Sequence, residues 1–107
     1  MIDWDRVREL WADMGPEDFT EVADLFAAEV EAALGALDPA APAEDFARQL
    51  HALKGSALNL GFAALATRCA EGEAQAAAGE VASVSVPELR KLYKASHIAF
   101  ASGMAGQ

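Results

Sequence analysis

The sequence predicts an all-α fold: an antiparallel, up-down four-helix bundle with a short N-terminal capping helix. Three observations point there. Alanine, the strongest helix former, is abundant in a chain that is 53% apolar. Apolar residues recur at steps of three and four along most of the chain. The breaks between these stretches are short and carry glycine or proline, which favours antiparallel neighbours. The length suits one domain, residues 1–107, able to bury a single core.

The first helix is expected over about residues 3–14, where Trp4, Val7, Leu10, Trp11 and Met14 share one side. Gly15 suits a C-terminal cap, and Pro16 suits a first helical position. The second helix, about 17–37, carries Phe19, Val22, Leu25, Phe26, Val30, Ala33, Leu34 and Leu37 as one stripe. "DPAAPAED" at 38–45 reads as a loop in which Pro42 starts the next helix. That third helix, about 43–60, has a core seam of Phe46, Leu50, Leu53, Ala57 and Leu60. The fourth, about 62–78, ends at Gly79 and turns Leu65, Cys69, Gly72 and Ala76 inward. "EVASVSV" at 80–86 has strand-like residues, but a lone strand has nothing to pair with, so it reads as a loop. "SVPE" at 85–88 resembles a capping box. The fifth helix, about 87–102, places Leu89, Leu92, Tyr93, Ser96 and Phe100 inward.

Charge narrows the function. The formal net charge is −9, which argues against nucleic acid, whose phosphates need a basic face. It also disfavours an anionic membrane surface. The charge is uneven. Residues 1–47 hold 13 acids and 2 bases, while residues 48–107 hold 4 acids and 6 bases. The second half is thus suited to meeting something acidic, though a solvated acidic face on the early helices explains the same asymmetry. A single cysteine, Cys69, forms no internal disulfide and no zinc site, which fits a reducing, cytoplasmic setting. The N-terminal "MIDWDRVREL" has acids and no apolar core, so no signal peptide is expected. No apolar run approaches the roughly 20 residues of a membrane span.

One glycine stands out. Gly55 interrupts a good helix, at a cost of about 1 kcal/mol relative to Ala. At about 100° per residue from Leu50, Lys54 falls near 40°, Leu58 near 80°, His51 near 100° and Gly55 near 140°. These four residues therefore share a stripe beside the core seam, turned towards solvent. An imidazole open to water is mostly neutral near pH 7 and can carry a covalent intermediate. Lys54, one turn on, could steady a phosphoryl group placed on it. Gly55 removes the side chain next to His51, so that a second protein's backbone can approach. Each residue also has a plainer reading: a surface His, a solvated Lys, a Gly for helix packing, a Leu under the capping helix.

The run His51, Leu53, Lys54, Gly55, Ser56, Leu60 and Gly61 resembles the signature of histidine-containing phosphotransfer (HPt) domains of multistep phosphorelays. Asp45 and Phe46 match an acidic-aromatic pair before the His, and Leu65 and Cys69 match a Leu and Cys in the next helix. Three features depart: Ala57 replaces a frequent Ser, Phe62 replaces a small residue, and "AEGEAQAAAG" lacks the Leu expected near Gly72. The resemblance implies that His51 is the phospho-acceptor, that Lys54 assists the phosphoryl group and that Gly55 clears room for the partner. The docking surface expected around Gly55 also comprises Arg48, Leu58 and Phe62. Implied partners are receiver domains of hybrid kinases and response regulators, with magnesium on the receiver, no cofactor on this chain, and a monomeric state.

No nucleotide-binding motif appears, so the chain is expected to relay phosphate rather than draw it from ATP. Two rivals remain: a non-catalytic helical adaptor that binds a receiver, and the phospho-accepting part of a larger histidine kinase. Hydrolysis is disfavoured because no paired carboxylates flank His51 in the sequence. His97 reads as a surface or satisfied polar residue, and Cys69 as core.

Overall fold

The computed structural model describes residues 1–105; residues 106 and 107, inside the expected domain range, lie outside them. Four α-helices form an antiparallel bundle about 43 Å long, with no strand among the described residues. They are α1 (Trp4–Gly35), α2 (Ala43–Leu60), α3 (Ala63–Ala77) and α4 (Val86–Ala105). A single 3-10 turn, Val81–Ser83, occupies the segment read as a loop.

The first two expected helices run together as α1, with the break reduced to one residue. Gly15 adopts φ 77° and ψ 162°, a left-handed conformation that only glycine enters cheaply, and Pro16 restarts the helix. The arm before the kink is the cap. It buries Val7 and Leu10, and Trp4 stacks on Phe100 at 6.2 Å. Gly103 lets that indole lie against α4, since a Cβ there would clash with the Trp4 ring. Trp11 and Met14, which share that side by spacing, are only partly covered, at 38% and 40% exposed, although Trp11 leans on Phe19 at 5.1 Å. Leu25 leaves the expected stripe and is 58% exposed, because Ala23, Val30 and Leu34 set the buried face of α1.

The turn between α2 and α3 is fixed from two sides. Gly61 caps α2 at φ 82°, and a Cβ there would sit 2.9 Å from the Asp3 carbonyl oxygen. The Asp3 amide donates to the Gly61 carbonyl at 2.7 Å, and the Ala64 amide to that of Met1 at 3.1 Å. At the start of α4, the Glu88 amide donates to Ser85 Oγ at 3.3 Å, which is the capping contact the sequence suggested.

Phe62 corrects the expected docking surface. It is fully buried, with its ring 5.9 Å from Tyr93 and 5.8 Å from Phe100. The helical phase of α2 ends at Gly61, and the chain turns Phe62 into the core. Phe62→Ala should therefore cost about 3–5 kcal/mol. That is a large part of a small domain's stability, and the thermal midpoint should fall by about 10 °C or more. A thermal melt checks this, and a change of under a few degrees would place Phe62 back among the surface residues.

Candidate functional site

α2 and α3 pack closely, and the reason is local. Gly72 on α3 lies against Leu50 on α2; a Cβ on Gly72 would come within 3.4 Å of Leu50 Cδ1 and 3.3 Å of Val84 Cγ1. The residues next to this close approach are His51 and Glu73. They meet across the seam, with His51 Nδ1 at 3.0 Å and 3.2 Å from the two Glu73 carboxylate oxygens. The His51 side chain is 65% exposed, whereas Glu73 is 31% exposed and better held.

This contact sets the tautomer. A carboxylate can only accept, so Nδ1 is the nitrogen that donates, and in the neutral ring the lone pair lies on Nε2. His51 thus presents a nucleophilic nitrogen on the outer surface of a helix whose inner face, Leu50, Leu53 and Ala57, is fully buried. Glu73 was missed by sequence reasoning, which noted only that no paired carboxylates flank His51. Its only signal was its place beside Gly72, the small residue that permits close packing.

The other expected residues fall as follows. Lys54 is half-buried one turn after His51 and has no ion-pair partner among the described residues. Its charge reaches Cys69, where it opposes the effect of burial; burial wins and pushes the Cys69 thiol up to about 12. The thiol is therefore a core group and not a nucleophile. Gly55 is exposed, and a Cβ added there would meet nothing within 4 Å. Leu58 is 50% exposed. Arg48 is exposed and pairs with Asp45 one turn before it. His51, Lys54, Gly55, Leu58 and Arg48 share the solvent side of α2, and Phe62 does not join them.

His97 lies on α4 beside Tyr93, at the opposite seam of the bundle, and takes no part here. No group of three or more His, Cys, Asp or Glu side chains among the described residues could hold a metal ion. No helix among them is long and apolar enough to cross a membrane.

The arrangement is an exposed imidazole with one nitrogen anchored, a cation one turn away and cleared space on the other side. Comparison with curated proteins gave no match, and comparison with solved structures gave none. The family comparison did: the sequence model described as the Hpt domain matches residues 7–97, from the capping arm to α4. Over that length the match takes in every helix and the whole His51 surface, and the chain belongs to the Hpt domain family of histidine phosphotransfer domains.

Proposed function

We propose that this protein carries a phosphoryl group between receiver-domain aspartates through a phosphohistidine at His51. The observation that carries the reading is the His51–Glu73 contact, which leaves Nε2 free at the surface while Nδ1 keeps its proton.

The step balances simply. The Nε2 lone pair attacks the phosphorus of an aspartyl phosphate. The bond from phosphorus to the aspartyl oxygen breaks, and its electron pair leaves on the receiver's carboxylate. Nδ1 retains its proton, so the phospho-imidazole ring becomes cationic, with Glu73 as its counter-ion. A protonated ring is also a good leaving group, and the same state is ready to pass the phosphoryl group to the next aspartate. Lys54 offsets charge on the phosphoryl oxygens. Magnesium and the acidic pocket belong to the receiver. The relative excess of bases in residues 48–107 suits an acidic partner site.

The test is transfer of labelled phosphate from a phosphorylated receiver domain, followed at short times, with peptide mapping of an acid-labile label. The label should map to residue 51. A label on another residue, or none from any receiver of the source organism, would overturn the proposal. Glu73 gives a graded check. A hydrogen bond to a charged group contributes about 1.5–3 kcal/mol, and solvent at this partly exposed pair favours the low end. Glu73→Ala should slow transfer about tenfold, and Glu73→Gln should recover part of the rate by restoring an acceptor. Equal rates in all three proteins would remove Glu73 from the mechanism.

A further inference from the structure

The α1–α4 seam is the most open of the four in the bundle and lies across it from His51. It holds a cleft of about 560 Å³. Its floor is Leu34 and Tyr93, whose hydroxyl donates to Glu31 at 2.9 Å. Its α4 wall carries Arg90, Lys94, His97 and Ile98.

Two features of this wall bear on what it could meet. The first is charge. Arg6, Arg8, Arg48 and Arg68 each pair with a carboxylate. Arg90 and Lys94, with Lys91 beside them, have no ion-pair partner among the described residues, although acids outnumber bases 17 to 8. Glu31, hydrogen-bonded by Tyr93, puts one negative charge in the cleft, and the two cations of the α4 wall outnumber it. The second is Ile98, at 67% the most exposed of the large apolar side chains among the described residues. Unpaired cations flanking an exposed aliphatic residue match an acidic surface that also carries apolar side chains. Small-ligand sites enclose most of their ligand. This cleft is open and runs between two antiparallel helices, the geometry that accepts a third helix.

We propose that the α1–α4 groove docks an acidic amphipathic helix of a partner protein, with Ile98 as the apolar anchor and Arg90 and Lys94 as the charge contacts. A partner seated there leaves the opposite His51 surface free, so docking and phosphoryl transfer can occur together. Such tethering would raise the local concentration of His51 near whatever the partner carries.

The probe is a dye-labelled amphipathic helical peptide with leucine along one face and glutamate on its flanks; a second peptide has lysine in place of each glutamate. Anisotropy titration should show saturable binding of the glutamate peptide only, weakening as salt rises. Backbone amide shifts should centre on residues 31–35 and 90–98. The Arg90→Glu, Lys94→Glu double variant should bind about tenfold more weakly, and Ile98→Glu should also weaken binding, each with an unchanged thermal midpoint. His51 labelling should proceed at the same rate with peptide bound. The proposal is overturned by no saturable binding, by equal binding of the lysine peptide, or by shifts centred on residues 51–58. Sedimentation showing that the free protein self-associates through Ile98 would also overturn it, making a second copy the occupant.

Discussion

His51→Gln should abolish phosphoryl acceptance while leaving the bundle intact. The side chain is mostly in solvent, and its polar partner among the described residues is Glu73. Glutamine is a good helix former, and its amide can still donate to that carboxylate. The change in stability should stay within about 0.5 kcal/mol, as for most surface substitutions. The chemistry has no such substitute, because an amide nitrogen has no lone pair available for attack on phosphorus. Labelling from a phosphorylated receiver should fall to background while the circular dichroism spectrum and melt stay native. Label retained in this variant would identify another acceptor. Loss of label together with loss of the fold would mean that His51 serves the bundle.

The features that were legible in the sequence are those set within one helix. The seam Phe46, Leu50, Leu53, Ala57 and Leu60 is buried throughout, and the same phase puts His51 and Gly55 outside. Features set between helices were not legible. Glu73 lies 22 residues after His51, and its approach depends on the register of α2 against α3, which Gly72 controls. No periodicity within either helix encodes that register. Phe62 differs for a related reason: the phase of α2 holds only as far as the left-handed Gly61 that ends the helix, and the residue beyond it turns inward. Leu25 shows the limit of apolar pattern itself. A 32-residue kinked helix carries more apolar residues than its inner face can cover, and smaller ones at Ala23 and Ala27 took the inward places.

Gly55 separates a site built for a partner from a site built for the fold. Three other glycines of this bundle are required by its own packing. Gly61 and Gly103 would clash through an added Cβ, and Gly72 would be tight against Leu50 and Val84. A Cβ at Gly55 would meet nothing within 4 Å beyond the helix's own backbone, and its conformation is ordinary helix. Gly55→Ala should therefore stabilise the isolated protein by up to about 1 kcal/mol, by helix propensity and by a less flexible unfolded chain. Gly55→Gln should also fold, because its longer side chain projects into solvent. Transfer should respond in the opposite sense. The side chain at 55 stands one turn from His51, where the receiver's backbone must come close for in-line attack on phosphorus. A misplacement of about 1 Å at such a site costs on the order of 100-fold in rate, and Gln at 55 should approach that loss, with Ala between it and the native protein. Single-turnover transfer rates and thermal melts on the same three proteins decide the matter. A melt lowered by Gln, or a native transfer rate with Gln in place, would make Gly55 a packing residue or a neutral one. A raised melt with slowed transfer is the pattern of a glycine kept for the partner.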